Sequence, residues 1–170
     1  SGKPVTNYKR NNDLYAANGT LFSTSFAGLM RTEDHCTVEA STPLGARFAT
    51  AMTRGPDNAL YVALAEPADV TTMNPGDTRV FKSTDDGLTF PISAMPSPIG
   101  TWWYSVKVAP SDPMRVYLTG FRVELGVRVL KLFRSTDGGA SYEAMSTTGL
   151  ATSPSSAVLL AGISAQDPDV

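Results

Sequence analysis

Short runs of apolar residues, separated by glycine, proline, asparagine and aspartate, recur along the 170-residue chain. Runs of this length with turn residues between them predict β-strands, and no segment has the apolar spacing of an amphipathic helix. Two runs, residues 57–64 and 112–118, are similar in sequence, and each follows a turn that contains proline. A further copy of the same strand is predicted at residues 12–17. The pattern therefore predicts an all-β protein built from a repeated unit.

Other strands flank these copies in the same order. Matching upstream strands are predicted at 47–53 and 103–109, at an offset of 56 residues that also relates Gly45 to Thr101. The downstream strands are predicted at 78–82, 89–93, 127–134 and 141–145. One unit thus has four strands in about 52 to 56 residues, which is the size of a propeller blade.

A motif that occurs twice joins the third and fourth predicted strands. Residues 83–90 and 135–142 both fit Ser-x-Asp-x-Gly-x-Ser/Thr-aromatic, and residues 32–36 are a degraded copy with Cys36 at the glycine position. The serine and aspartate can hydrogen-bond the backbone of their own turn, the glycine gives backbone freedom, and the aromatic residue anchors the next strand. We therefore expect structural rather than catalytic roles for the motif residues Ser83, Asp85, Gly87, Phe90, Ser135, Asp137, Gly139, Tyr142, Thr32 and Asp34.

The repeats divide the chain into four stretches. We predict blades at about 1–44, 45–98 and 99–150, and the start of a fourth blade at 151–170. Closed propellers need roughly four to eight blades, so three blades and the start of a fourth form an incomplete ring. The whole chain is therefore predicted to be part of one β-propeller domain, whose remaining blades lie in the same chain or in another.

The motif and the segment 110–117 upstream of it resemble the Asp-box (BNR) β-propeller repeat. This resemblance implies propellers of six to eight blades, as in sialidases, related glycoside hydrolases, sortilin-type receptors and photosystem-assembly factors. It also implies a location outside the cytoplasm, either extracellular or periplasmic. In Asp-box enzymes the active site lies on the face opposite the Asp-box turns.

On that opposite face the expected connections are 66–77, 94–101, 122–126 and 143–152. Two adjacent tryptophans follow the second of these connections, and neighbours along a strand point to opposite sides, so only one of them can face a ligand. Packing between blades is the alternative for either ring. The candidates for ligand binding are Trp102, Trp103, Glu66, Asp69, Asp77, Arg122, Glu124 and Arg47.

The sequence gives limited support to an enzyme. A sialidase needs an arginine cluster, a Tyr-Glu nucleophile pair and an acid/base aspartate, and the Arg-Ile-Pro signature of that family is absent from the chain. Another glycosidase needs only two suitably spaced carboxylates, so the loop acids remain candidates by placement alone. Two hypotheses follow. The first is a non-catalytic module that binds a glycan or a protein partner, and the second is part of a secreted glycoside hydrolase whose catalytic residues lie largely outside this segment.

Composition and charge narrow the range of partners. Apolar residues make up 42% of the chain and charged residues 18%, as in folded domains. A net charge of −2 gives no basic surface for nucleic acid or an anionic membrane, and no run of about 18 apolar residues predicts a membrane span. The single histidine and the single cysteine, His35 and Cys36, cannot complete a zinc shell, and we expect neither a metal nor a cofactor. A disulfide of Cys36 would need a cysteine outside this sequence.

Overall fold

The computed structural model describes residues 13–15, 19–25, 27–34, 36–150 and 157–169, with the backbone alone at 13–15. Within these ranges the chain forms β-strands joined by turns and loops. The strands are β1 (Asp13–Tyr15), β2 (Leu21–Ser25), β3 (Gly28–Thr32), β4 (Glu39–Ala40), β5 (Ala49–Arg54), β6 (Leu60–Leu64), β7 (Val80–Ser83), β8 (Ile92–Ala94), β9 (Thr101–Ala109), β10 (Asp112–Glu124), β11 (Val127–Ser135) and β12 (Glu143–Ala144).

The strands make three antiparallel sheets of four, in which chain neighbours are also sheet neighbours. The first sheet holds β1–β4, the second β5–β8 and the third β9–β12. This confirms the prediction of an all-β fold made of four-stranded antiparallel units. The proposed blade limits at 44, 98 and 150 remain predictions. None of the described residues belongs to a helix long and apolar enough to span a membrane.

The second and third sheets follow the predicted strand order. Every residue of β6 is buried, as expected for a continuous apolar run in the middle of a sheet. In the third sheet, β10 runs further than predicted and pairs with β11 as far as Glu124 opposite Val127. The two-residue turn between them, Leu125 and Gly126, has positive φ at both positions (50° and 79°), as type I′ hairpin turns require.

The prediction for the first sheet was wrong in one respect. The segment at 12–17 was assigned as a copy of the second strand, but β1 is the first strand of its sheet and pairs with β2. The reason is the length of the connection between second and third strands. It consists of residues 26–27 in the first sheet and of residues 65–79 in the second. The second strand therefore lies closer to the motif than in the later sheets, and the likeness of residues 12–17 to residues 57–64 misplaces it.

Apolar cores lie between successive sheets. Phe22 and Leu29 of the first sheet pack with Leu60 and Phe81 of the second. Across the next interface, Tyr61 packs in a cluster that includes residues of the third sheet, among them Trp103, Val106, Val116, Leu118 and Phe133. Each sheet thus buries its faces against its neighbours, as expected of repeat architectures.

The first strands of the second and third sheets, β5 and β9, lie side by side. Near their beginnings the rings of Phe48 and Trp102 meet edge to face, with centroids 4.9 Å apart. Near their ends a methyl group placed on Gly55 would lie 3.4 Å from Val108. The two strands therefore run in the same direction, so equivalent connections in the two sheets lie on the same side.

The segment 157–169 lies against the third sheet on the side away from the second. The Leu160 N–H donates to Ser105 Oγ (3.2 Å), and the Tyr117 hydroxyl donates to the carbonyl of Pro168 (2.8 Å). Arg134 Nη1 lies 3.3 Å from the Asp169 carboxylate. The segment predicted to begin a fourth blade has no strand among its described residues, yet it packs on the side where a fourth sheet would lie.

Candidate functional site

The turns formed by the repeated Ser-x-Asp-x-Gly motif, called the motif turns below, and the predicted ligand-binding connections lie on opposite sides of the sheets. The turns follow β3, β7 and β11, whereas the connections β6–β7, β8–β9 and β10–β11 lie at the other ends of these strands. We call the second side the loop face. Its connections contact one another, since the Thr78 hydroxyl donates to the carbonyl of Ser97 (2.8 Å).

The aspartates of the repeated motif accept hydrogen bonds from their own turns. Ser83 Oγ donates to Asp85 (2.7 Å) and accepts the N–H of Gly87 (2.8 Å). Asp85 also accepts the hydroxyl and the N–H of Thr89 (2.6 and 2.9 Å). These bonds, led by the Thr89 hydroxyl, lower the pKa of Asp85 to about 2. A group with such a pKa is a poor acid or base near neutral pH.

The third sheet repeats this geometry. The Ser135 hydroxyl and both the N–H and the hydroxyl of Ser141 donate to Asp137 at 2.7, 2.9 and 2.5 Å. Burial acts to raise the pKa of Asp137, but these hydrogen bonds outweigh it and lower the pKa to about 2. In the degraded copy Asp34 accepts the Thr32 hydroxyl and the N–H groups of Cys36 and Thr37, and the backbone bonds lower its pKa most.

The motif glycines allow an aromatic ring of the preceding sheet to approach the turn. Gly87 and Gly139 have φ of 77° and 91°. A methyl group at Gly87 would lie 2.9 Å from the Phe22 ring, and one at Gly139 would lie 2.9 Å from the Tyr61 ring. Glycine is therefore needed for its conformation and for the close contact between sheets. The motif aromatics Phe90 and Tyr142 pack at the margins of the two cores.

On the loop face, Asp77 holds two arginines. Its carboxylate is 5% exposed and lies 2.7 Å from Arg47 Nη1 and 2.6 Å from Arg79 Nη2. Both guanidinium groups stack on the Phe81 ring, at 5.2 and 4.9 Å from its centroid. Burial favours the neutral acid, but hydrogen bonds from Arg79 and Arg47 prevail and lower the pKa of Asp77. The result is an ordered cluster with one net positive charge.

Glu66 is fully engaged in holding the same connection together. One carboxylate oxygen accepts the N–H of Phe48 (2.8 Å) and the other accepts the side-chain amide of Asn74 (2.9 Å). The backbones of Glu66 and Asp77 exchange hydrogen bonds, so the strand ladder continues beyond β6 and β7. The candidate acid Glu66 thus orders the hairpin.

Asp69 lies at the tip of this hairpin and caps the turn. It accepts the hydroxyl groups of Thr71 and Thr72 (2.7 and 2.9 Å) and the N–H of Thr71. The Thr71 hydroxyl is the main cause of its lowered pKa. Asp69 therefore acts on its own turn and lies apart from the arginine cluster.

The two tryptophans have different environments. Trp103 is 1% exposed, packs on Phe133 and donates its indole N–H to the carbonyl of Thr78 (3.0 Å). It offers no surface to a ligand, and the prediction that it is a ligand candidate is corrected accordingly. Trp102 is half-buried, and its ring meets the edge of Phe48 near the loop-face end of β9.

Arg122 and Glu124 lie at the far end of β10. Glu124 accepts from Lys131 Nζ (2.7 Å) and lies 4.0 Å from Arg122 Nη1. The Lys131 ammonium group is the main cause of the lowered pKa of Glu124. The described side-chain contacts of this pair stay within the β10–β11 hairpin, so the structure does not join these two candidates to Arg47 and Asp77.

The residue-by-residue prediction missed Arg79, Phe81, Phe48 and Asn74. Arg79 and Phe81 are two positions apart around the start of β7, and this spacing places them on one side of a strand beside Asp77. The alternation of side chains along a strand could have identified Arg79 and Phe81 as neighbours of Asp77. The contact of Phe48 with Glu66 gave no sequence signal, because it joins residues far apart in the chain. In the part of the chain that the structure describes, no group of three or more histidine, cysteine or acidic residues could hold a metal.

Three successive four-stranded antiparallel sheets, packed face to face with parallel first strands, define a β-propeller fold. Solved propellers match it. YCF48 bound to D1 peptide matches with a TM-score of 0.52 and 16% identity, over 76% of this chain and 37% of that chain. The GH74 xyloglucanase from Xanthomonas campestris matches with a TM-score of 0.51 and 20% identity, over 75% of this chain and 19% of that chain.

This chain therefore spans less than two fifths of the length of either structure. At these identities the likeness shows the fold alone. No protein-family model matches the sequence, and no curated protein matches it.

Proposed function

We propose that this chain is a non-catalytic propeller module that binds a polypeptide partner through its loop face. The observation that carries the proposal is the state of the loop-face side chains. Glu66, Asp69, Asp77 and Glu124 are all engaged in hydrogen bonds or ion pairs. The Arg47 and Arg79 side chains are partly exposed on the same face, and Trp102 is half-buried.

These carboxylates are poorly suited to donate a proton to a substrate. A glycosidase needs one carboxylic acid that stays protonated near working pH, which requires a raised pKa. The pKa values of Asp69, Asp77 and Glu124 are shifted downwards. The second hypothesis is therefore that this chain is part of a glycoside hydrolase. It requires catalytic residues outside the chain described here.

The two arginines are better suited to bind a ligand. The side chains of Arg47 and Arg79 are 32% and 39% exposed, and each is held in place by Asp77 and Phe81. Each guanidinium group has five N–H donors and does not use all of them on Asp77, so donors remain for a carboxylate of the ligand. Trp102 would add apolar surface to this site. Its ring contacts Phe48, whose backbone N–H donates to Glu66 in the β6–β7 connection.

The similar structures contribute a precedent for each hypothesis. YCF48 was solved with a D1 peptide, and the other propeller is a xyloglucanase. Completion of the ring by further blades and a location outside the cytoplasm, extracellular or periplasmic, are parts of the same proposal. They rest on the Asp-box resemblance.

The test compares peptide binding with polysaccharide turnover. The chain is titrated with fluorescent synthetic peptides that end in a free carboxylate beside apolar residues, and with the same peptides amidated. We expect binding of the free acids, lost in the double variant Arg47→Ala, Arg79→Ala and weakened in Trp102→Ala. Lys107→Ala is the matched control, since Lys107 lies in β9 away from the cluster.

Two results would count against the proposal. Equal binding of acid and amidated peptides by the wild type and the double variant would remove the role of the arginines. Release of reducing ends from xyloglucan or sialylated oligosaccharides, abolished by Glu66→Gln, would favour the hydrolase. Binding of these sugars without turnover would make the ligand a glycan.

A further inference from the structure

Two hairpins project from the loop face, and both carry exposed aliphatic side chains at their tips. In the β6–β7 connection, Val70 is 91% exposed and Met73 is 88% exposed. At the β10–β11 turn Leu125 is fully exposed, and Val123 and Val127 on either side are more than half exposed. Single exposed apolar residues are ordinary, but groups of them at projecting tips mark interaction sites.

The two tips share an unusual backbone feature. Met73 and Leu125 have φ of 55° and 50°, in the left-handed region that glycine, asparagine and aspartate normally occupy. Turns of this kind favour asparagine or glycine at such positions. At each tip a large apolar residue takes an unfavourable conformation and makes no compensating contact with its own chain. Local strain of this kind is typical of functional sites.

Both tips reach beyond the body of the sheets on the same side. Strand β9 begins opposite Arg122, so β10 and β11 continue past it as a two-stranded ribbon. In the second sheet, isolated bridges of Glu66 with Asp77 and of Asp69 with Asn74 extend the ladder towards the tip. Because β5 and β9 are parallel, the two extensions point the same way.

Positive charge surrounds the β10–β11 tip, although the chain as a whole carries −2. Arg122 and Lys131 lie 4.0 and 2.7 Å from the single carboxylate there, that of Glu124, and Arg128 pairs with Val123 on the opposite face of the ribbon. Arg128 is held in place by stacking on Phe121, 4.4 Å from its ring centroid. At the other tip the Asp69 carboxylate accepts hydrogen bonds from Thr71 and Thr72 within its own exposed turn.

We propose that these two tips enter the interfacial region of a lipid bilayer and seat the loop face on a membrane surface. The side chains are aliphatic or thioether groups, whereas protein-binding hot spots favour tryptophan, tyrosine and arginine over leucine and valine. A fluid apolar phase accepts two separate tips without a matching pocket for each. Cations just below an apolar tip reach anionic headgroups while their stems stay in apolar surroundings.

The experiment uses the whole chain and vesicles of phosphatidylcholine, with and without phosphatidylserine. We expect the chain to float with both, and more strongly when phosphatidylserine is present. The double variant Leu125→Asp, Met73→Asp should lower the partition coefficient by at least about tenfold, since burial of one leucine alone is worth that much. Leu125→Trp should show a blue-shifted emission only when vesicles are added.

Matched controls keep the test specific. Leu88→Asp changes an equally apolar exposed residue in the motif turn on the opposite side, and it should leave flotation unchanged. Arg47→Ala with Arg79→Ala should also float normally, so membrane binding and peptide binding can fail independently. A wild-type chain that does not float, or a tip variant that floats like the wild type, would overturn the proposal. A tip variant that changes only the sedimentation mass would assign the tips to a protein contact instead.

Discussion

Replacement of Gly139 by alanine tests the packing of a motif turn against the preceding sheet. The residue has φ of 91°, and a methyl group there would lie 2.9 Å from the Tyr61 ring and 3.1 Å from the Tyr142 hydroxyl oxygen. The left-handed conformation costs a non-glycine residue about 1–2 kcal/mol. Forcing an extra methyl group into a packed core adds about 1–3 kcal/mol. We therefore expect a loss of about 2–5 kcal/mol in the free energy of unfolding.

Gly100 provides the control for the conformational part of this cost. It has φ of 92°, but a methyl group there would meet no atom within 4 Å. Gly100→Ala should therefore lose only about 1–2 kcal/mol. Equilibrium urea unfolding, followed by the fluorescence of buried Trp103, gives both values. Equal losses in the two variants would refute the claim that contact with Tyr61 is what excludes a side chain from Gly139.

Three further predictions concern the same architecture. The Tyr142 hydroxyl is buried and has no hydrogen-bond partner among the described residues, so Tyr142→Phe, which copies Phe90 of the second sheet, should raise the free energy of unfolding by about 1 kcal/mol in thermal melts. The pKa of Asp85 is about 2 in the folded chain and about 4 in an unfolded one, so its stabilising effect is complete above pH 4 and lost as the pH falls towards 2; acid unfolding curves of Asp85→Asn should lose that part of the slope. Trp103→Phe removes a buried hydrogen bond to the Thr78 carbonyl and should cost about 1–3 kcal/mol in urea titrations, whereas Trp102→Phe should cost clearly less.

The motif turns could be predicted from the sequence because their determinants are local. Asp85 and Ser83 bond groups within four residues of themselves, so residue types at fixed spacing decide the geometry. The strands of the second and third sheets could also be predicted, because their apolar runs and turn residues recur at a constant spacing. The degraded motif also keeps its turn, because Asp34 still accepts two backbone N–H groups.

The arginine cluster was predicted only in part because its contacts are not local. Arg47 and Asp77 are 30 residues apart, and nothing in either segment encodes their ion pair. Arg47 and Asp77 were both candidates because their segments lie on the predicted loop face. Their contact forms only in the folded sheet, in which β5 and β7 lie on either side of β6. Trp103 was misjudged for a related reason, since the direction of each tryptophan depends on which side of β9 faces the second sheet.

The connections on the two sides of the sheets differ in how much their lengths vary. The motif connections at 84–91 and 136–142 are similar in length, because the same hydrogen-bonded turn builds both. The connections between second and third strands lie on the loop face and differ widely, at 26–27, 65–79 and 125–126. Closure of a blade needs only a short turn there, so the longer hairpin at 65–79 and the extended β10–β11 ribbon are additions to the basic repeat. Loops that exceed what the fold requires are where binding residues concentrate. Both additions end in exposed apolar side chains. The second blade extends from the loop face with a long loop, and the third blade does so with long strands.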